Sequence, residues 1–430
     1  MAKVNPFNPN SPVNPGMFVG RLQEIDRLDA HLLQTASGQP TNFMITGERG
    51  IGKSSLMLYA RALAQGHVEV DGRTLHFLVA FTDIDSTTTQ LGLVKKFELA
   101  MRRELEKTEP ARQFMTTAWE FIRRLEAAGV RLAPQGQKPD EILLEEFAIS
   151  LSEIADRISD SERAKGLFGA KYDGILILID EADNASPSLN LGTLLKLLLE
   201  RLQRHGCQKV MLGLAGLHHL RSVLAKSHPS SLRLFDEIVL ERLSYADAAV
   251  VVDRCLEMAN ETNQVSTTIS DEAKSSLVGL SEGYPHFLQQ FGFSAFAIDK
   301  DNAIDDDDVF SGALADGGAL ARIGDRYYRD DFYNRIQADS YRQVLRIMAD
   351  KLDSWVTKAE IRARFKGNTT TLDNAIQALR DRTIILSKEG ERGVYRLQHK
   401  AFAYWIKLYT TAPGQLQQKV EASAEQNGKS

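Results

Sequence analysis

Two cysteines in 430 residues, Cys207 and Cys255, cannot build a disulfide framework, and no metal-ligand spacing surrounds them. Both are read as small core residues. Long apolar runs are equally scarce. The most apolar stretches, Gly174-Ile-Leu-Ile-Leu-Ile179 and Val210-Met-Leu-Gly-Leu-Ala-Gly-Leu217, fall far short of the roughly 20 residues that span a bilayer. They read as buried strands, and no membrane association is expected. The first ten residues carry Asn and Pro where a secretory signal would carry an apolar core, so residues 1–16 are expected to form an extended arm of a cytoplasmic protein. An overall basic excess is also missing: the formal net charge is −5, which argues against a surface that binds nucleic acid everywhere. With 43% hydrophobic and 25% charged residues, the chain has ordinary soluble composition and enough length for several domains. No internal repeat is evident.

What is present is a glycine-rich loop. Gly47-Glu-Arg-Gly-Ile-Gly-Lys-Ser54 follows the strand-like Asn42-Phe-Met-Ile-Thr46 and opens into the helix-prone Ser55-Leu-Met-Leu-Tyr-Ala60. Between a strand and a helix, such glycines let backbone N–H groups turn inward around phosphates. Lys53 brings a point charge to the outer phosphates and the Ser54 hydroxyl can ligate Mg2+. The loop residues Gly47, Glu48, Arg49, Gly50, Ile51, Gly52, Lys53, Ser54 and Ser55 are therefore assigned to nucleoside-triphosphate binding.

A parallel α/β sheet is expected around this loop. Leu75–Thr82 reads as a second strand and Gly174–Ile179 as a third. Lys209–Ala215 and the short Glu237–Glu241 supply a fourth and a fifth. The third ends in Asp180 and Glu181, at the strand edge where phosphate-loop enzymes place a magnesium-holding acid. Asp180 is assigned to the metal and Glu181 to polarising the attacking water. The stretch from Thr87 to Ala170 exceeds one crossover helix. Leu91 to Arg124 and Glu141 to Ile158 show helical apolar spacing, separated by Pro134, Gly136 and Pro139, which predicts a helical insertion packed on the sheet edge.

Beyond a core at 17–241, Tyr245–Met258, Asp271–Leu280 and Pro285–Ile298 predict a helical lid at 242–315. The acidic run Asp305–Asp308 reads as a helix start. A linker helix is expected at 316–339. Residues 340–410 run through three helices, Tyr341–Leu352, Lys358–Phe365 and Thr370–Arg380, to a hairpin at Ile384–Leu397 with Gly390 and Gly393 at its turn. That order describes a winged helix-turn-helix. From Ser340 to Lys407 there are fourteen Lys and Arg against seven Asp and Glu, a local +7 that leaves −12 elsewhere. If the module reads double-stranded DNA, its second helix presents Thr370, Asn374, Gln377 and Arg380, with Arg392 at the wing tip. Winged helices also serve as protein-packing modules, so protein contact stands as the alternative. Residues 411–430 have few large apolar residues and read as a disordered tail.

Phe18-Val-Gly-Arg21, the phosphate loop, Leu178-Ile-Asp-Glu-Ala-Asp183, Gly213-Leu-Ala-Gly216, Gly283-Tyr-Pro285 and the terminal module occur in an order that resembles an AAA+ ATPase. The branch it is similar to is shared by origin-recognition initiators, archaeal-type ATPases and the STAND signalling ATPases. The resemblance implies that Val19, Gly20 and Arg21 pass beside the adenine base, that Pro285 of the lid meets the nucleotide, and that Glu181 and Lys53 serve hydrolysis of ATP. It implies homo-oligomers in which an arginine crosses to the neighbouring site, Arg233 as first choice and Arg221 as second. The branch's polar sensor at the end of the fourth strand has no counterpart here: Leu214 and Ala215 fill that stretch and His218 lies further along. Two functions fit. One is an ATP-driven switch that presents the winged helix to DNA; the other is a STAND-like signalling ATPase whose winged helix contacts a protein effector.

Overall fold

Val210–Gly216 is buried at every position, and the rest of the sheet is arranged around it. In the computed structural model, which describes residues 3–13, 18–128, 139–336, 338–352 and 354–410, the chain divides into two units, Pro12–Glu241 and Met1–Ser11 with Arg242–Ser430. The expected tail at 411–430 lies outside the described residues, as do parts of the expected arm.

The first unit holds five parallel strands, β1 (Asn42–Gly47), β2 (Phe77–Asp83), β3 (Gly174–Asp180), β4 (Val210–Gly216) and β5 (Phe235–Leu240), in the order β2-β3-β4-β1-β5. The interior strands read as unbroken apolar runs because helices cover both faces. Gly213 marks the tightest point: a Cβ there would lie 2.3 Å from the Phe43 ring and 2.7 Å from Leu178. Helix α1 (Leu22–Ala36) precedes β1 and α2 (Lys53–Ala64) follows it.

Between β2 and β3 the described residues of the expected insertion form five helices, α3 (Gln90–Leu105), α4 (Glu109–Ala118), α5 (Glu120–Ala128), α6 (Pro139–Ser159) and α7 (Ser161–Phe168). The single long apolar pattern from Leu91 to Arg124 breaks at Thr108, which caps α4 by accepting the Ala111 N–H, and again at Trp119. The insertion shares one core with the sheet, in which Phe97 stacks on Phe147 at 5.9 Å. Helices α8 (Leu191–Arg204) and α9 (Leu220–Ser227) complete this unit. Cys207 and Cys255 are both buried free thiols, one in each unit.

The second unit begins with the lid helices α10 (Tyr245–Thr262), α11 (Asp271–Ser281), α12 (Pro285–Ile298) and α13 (Asp306–Leu314). A short parallel pair, β6 (Thr268–Ile269) and β7 (Ala303–Ile304), ties them together. Asp305 and Asp308 form a capping box that starts α13. Residues 3–8 of the N-terminal arm are fastened to this lid: Phe7 is buried with its ring on the Gly292 backbone, and the Asn5 side chain donates to the Phe293 carbonyl at 2.9 Å. Lys3 pairs with Asp299 at 2.6 Å.

The linker is continuously helical from Ala319 to Arg335, though not α-helical throughout. After α14 (Ala319–Ile323) it runs through two π turns, Gly324–Tyr328 and Asp331–Arg335. The cause is Trp405, whose indole occupies the space a Cβ on Gly324 would need, so the backbone widens around the ring. The terminal module contains α15 (Asp339–Ala349), β8 (Val356–Thr357), α16 (Lys358–Arg364), α17 (Thr369–Asp381), β9 (Ile385–Ser387), β10 (Val394–Leu397) and α18 (Lys400–Tyr409). Its strands form an antiparallel sheet in the order β8-β10-β9. Sequence patterning gave neither β8 nor α18.

Lid and terminal module meet in this unit through the turn before α12. The Glu282 carboxylate accepts the backbone N–H of Lys400 at 2.6 Å, so an acid of the lid caps α18. His399 lies edge-on to Tyr284 at 4.6 Å and is buried, and its pKa is pushed down to about 3 by burial and then by Arg242 and Arg396. An unfolded chain takes up this proton below its ordinary value of 6.5, whereas the folded chain does not until about 3. Stability contributed here is therefore lost as pH falls from 6.5 toward 3, with a slope of up to about 1.4 kcal/mol per pH unit. Urea titrations of wild type and His399→Gln at pH 7 and pH 4.5 test this, the variant being expected to show the shallower loss.

Candidate active site

The sheet order sets the site. Because β4 lies between β1 and β3, the loop that leaves β1 and the acids that end β3 stand at the same edge with the β4 exit between them. Gly50 and Gly52 take φ values of 79° and 104°, which only glycine adopts without strain. Gly47 has no room for a side chain, since a Cβ would meet the Leu240 carbonyl and the Ile51 side chain at 2.9 Å.

Lys53 lies inside this loop, donating to the carbonyls of Gly47 at 3.1 Å and Glu48 at 2.8 Å. Burial lowers its pKa, opposed by the charges of Asp183 and Asp180. The Ser54 hydroxyl donates to Asp180 Oδ2 at 2.6 Å, while Asp180 Oδ1 accepts the Glu181 N–H at 2.8 Å. Two hard oxygen donors thus stand side by side, a fit for Mg2+, which takes one or two protein oxygens and completes its shell with phosphate and water. Among the described residues no group of three or more His, Cys, Asp or Glu side chains could hold a metal by itself. Glu181 is exposed and has φ 51°, a strained conformation for a residue bearing a side chain. Its carboxylate accepts from Asn184 Nδ2 at 3.2 Å.

Other predicted residues make contacts within the chain itself. Arg21, also at positive φ, turns its guanidinium to the carbonyls of Ile51, at 3.4 Å, and Glu241. It brackets the phosphate loop to the last residue of this unit. Phe18 packs on Tyr59 at 5.3 Å, and Val19 and Gly20 are half-buried beside it in the chain. The Ser55 hydroxyl accepts the Val13 N–H at 3.1 Å, so the arm's continuation rests on α2. Arg49 is exposed at the loop tip. Pro285 occupies the first turn of α12, in the other unit.

Of the two candidate arginines, Arg221 is paired with Glu237, which also accepts the buried Thr46 hydroxyl at 2.9 Å. Arg233 is exposed in the short 3-10 turn Pro229–Leu234 and makes no ion pair among the described residues. In the terminal module Thr370, Asn374, Gln377 and Arg380 are exposed on α17, and Arg392 is exposed at the hairpin turn. Asp373 and Asp381 share that surface, Asp373 paired with Lys358 at 2.5 Å and Asp381 accepting from Gln377 Nε2 at 2.8 Å.

Sequence reasoning missed Asp183 and His219. The Asp183 carboxylate is largely buried, accepts the Leu217 N–H at 3.1 Å and faces His219 Nε2 at 3.5 Å. The signal was present in the Asp-Glu-Ala-Asp spacing, of which only the first two acids had received roles.

Comparison with known proteins agrees with this geometry. Residues 17–212 match the AAA ATPase domain family. The fold is similar to that of the Aeropyrum pernix ORC2 protein solved in ADPNP–ADP complexes, with TM-score 0.56 at 13% identity over 94% of this chain and 96% of that one. It is also similar to a Walker-type ATPase of Pyrococcus abyssi, with TM-score 0.53 at 15% identity over 94% and 99%. The chain matches no curated protein sequence. No helix among the described residues is long and apolar enough to cross a membrane.

The Arg21 bracket yields a direct expectation. Arg21→Ala leaves two carbonyls without their donor and should lower the unfolding free energy by about 1–3 kcal/mol. Arg21→Lys should recover little, because a point charge cannot span both carbonyls as a guanidinium does. Urea denaturation of the two variants measures it.

Proposed function

We propose that the protein is a magnesium-dependent ATPase switch whose nucleotide state governs assembly and DNA binding by a C-terminal winged helix, since residues 17–212 match the AAA ATPase domain family on a fold similar to that of an origin-recognition protein. The observation that carries the reading is the 2.6 Å contact between Ser54 and Asp180 beside Lys53. Mg2+, when bound, would be held by these two side chains and would offset phosphate charge. Around it the protein's own groups divide the work. The turned-in amides of Gly50 to Ser54 bind the phosphates, and Lys53 exchanges its loop carbonyls for phosphate oxygens. Glu181 is exposed next to the metal-holding acid, where a base can orient water for in-line attack.

An arginine supplied by a neighbouring copy would stabilise the charge on the transferring phosphoryl group. Arg233 suits this task better than Arg221, since it is exposed and uncommitted while Arg221 is held by Glu237. DNA contact is assigned to Thr370, Asn374, Gln377, Arg380 and Arg392 on the order helix, strand, helix, helix, hairpin and on their exposure. A cytoplasmic location agrees with these partners.

Glu181→Gln should bind ATP without consuming it and accumulate in the assembled form, read by size-exclusion chromatography with and without nucleotide. Phosphate release by Glu181→Gln at the wild-type rate would mean that Glu181 is not the base. In the same trapped state, duplex DNA should be retained and released steeply as salt rises from 50 to 200 mM, because phosphate contacts release counterions. Arg380→Ala combined with Gln377→Ala should abolish retention. Retention unchanged by that pair would assign the module to protein contact, the STAND-like alternative.

A further inference from the structure

We infer that residues 3–10 act as a strap, a peptide ligand of the lid carried on a short tether, which limits how far the lid can turn away from the helix that follows the phosphate loop. Its effect on nucleotide release rests on the nucleotide reading above; the strap itself does not.

Residues 3–8 have no regular secondary structure, so the path of the arm is imposed by what it lies on. The seat is built for it. Asn263, the residue after α10, pairs with Val4 through both halves of its amide, accepting the Val4 N–H at 2.8 Å and donating to the Val4 carbonyl at 3.0 Å. A neighbouring strand would bond the arm in the same way. The buried Gln289 accepts the Asn8 N–H at 2.8 Å. Gly292 yields its side-chain space to the Phe7 ring, and the Asp299 carboxylate, with no exposed surface, is kept for Lys3. Beyond α12, Arg326 of the first π turn donates to the Pro9 carbonyl at 3.2 Å and to the Asn10 side chain. Lid and linker thus grip the arm from Lys3 to Asn10.

What makes this ligand a strap is its other end. After Asn10 the chain crosses to the first unit at Ser11 and Pro12, and Val13 is fastened there by Ser55, in the first turn of α2. The steps from Asn10 to Val13 have a reach of roughly 11 Å at full extension. The second crossing is a single peptide bond: the Glu241 carbonyl is held by Arg21, and Arg242 pairs with Glu282. One such bond leaves two units free to turn about the torsions on either side of it. A second, short connection takes most of that freedom away for as long as both of its ends are seated. Under the nucleotide reading, the seat at Ser55 adjoins Ser54, so the strap ties the lid to the turn that holds phosphate and metal, and lid opening is a step that sets release rates.

Distances between spin labels on the full-length chain test the strap, one label placed on α2 through Arg61→Cys and one on α10 through Glu257→Cys. Both positions are exposed, and Cys207 and Cys255 are buried. A flexible Gly/Ser spacer of about six residues, inserted between Ser11 and Pro12, adds roughly 20 Å of reach. It should broaden the distance distribution about twofold while amide exchange at Val4 and Asn8 stays slow, because the arm remains seated. Phe7→Asp, which unseats the ring, should broaden the distribution as much and free both amides to exchange. A synthetic peptide of residues 3–11 is then added to the Phe7→Asp chain at millimolar concentration, the order that a short tether provides. It should fill the vacated seat and leave the distribution broad, since a peptide without the tether restrains nothing. A distribution unmoved by the spacer overturns the inference, and so does a peptide that narrows it again, which would make the arm a packing element only. If Phe7→Asp fails to fold, the spacer variant decides, its arm and lid being unaltered. Release of a fluorescent ADP should be roughly tenfold faster with the spacer than without it; the wild-type rate overturns the tie to the nucleotide. A wild-type chain that binds no nucleotide sinks the nucleotide reading and leaves the distance measurements to decide the strap.

Discussion

The interior position of β4 is the constraint on which the first unit depends. A parallel sheet with helices on both faces must bury its central strand completely, and β4 does so at all seven positions. Burial alone would allow larger residues. Gly213 and Gly216 are dictated by neighbours: the Phe43 ring and Leu178 crowd the first, the Asp183 carboxylate the second. The same packing that gives the sheet its core brings the acid of β3's exit turn over the end of β4. Site geometry is in this sense a consequence of core geometry. The strained φ of Glu181 belongs to the same turn, where the chain must leave β3 sharply enough to return Asp183 toward the sheet.

A different device organises the second unit. The turn Glu282-Gly-Tyr-Pro285 serves three elements at once. Glu282 caps α18, Tyr284 packs against His399 and lies under the Arg242 guanidinium at 4.5 Å, and Pro285 starts α12. Gly283, at φ 76°, can have no side chain, since a Cβ would lie 2.4 Å from the Leu243 carbonyl. Burial raises the pKa of Glu282, against the Lys400 N–H and the Arg242 charge. Trp405 and Tyr328 extend the contact along the linker, Tyr328 lying 4.5 Å from Phe402. Lid and terminal module therefore share a core, and a shift at the turn cannot leave α18 unaffected. The chain passes between the two units at 11–12 and at 241–242, and Arg242, at the second passage, already belongs to this cluster.

What the sequence made legible follows from how local each signal was. The phosphate loop, the five strands and the capped helices rest on short-range rules, and their boundaries differ from the structure by one or two residues, save that α10 runs four residues past Met258 and α15 stops three short of Leu352. Cysteine burial was equally legible. Non-local features were not. That Gly216 is emptied for Asp183, that Arg21 reaches Glu241 across 220 residues, and that Gly324 yields to Trp405 are facts about partners no window contains. Strand β8, with two residues, exists only because β10 pairs with it. The linker was expected to be a helix, but its π widening could not be read locally; the indole that Gly324 accommodates lies some 80 positions further on.

The +7 of the terminal module needs the same care, since charge counted along a chain is not charge on a face. Lys358 is spent on Asp373, Arg364 on Asp350, Lys351 on Glu360 and Lys388 on Glu391. Arg396 lies over Trp355 at 5.0 Å. Such exposed pairs add little stability, but they lower the field a phosphate backbone would meet. Lys366, Arg380 and Arg392 remain exposed without an ion pair among the described residues. They lie before α17, near its end and at the hairpin turn, so they flank Thr370, Asn374 and Gln377, whose neighbour Asp373 is paired with Lys358. Under the proposed DNA-binding role, these margins would supply a few phosphate contacts, which ties the proposed affinity to ionic strength more than to total charge.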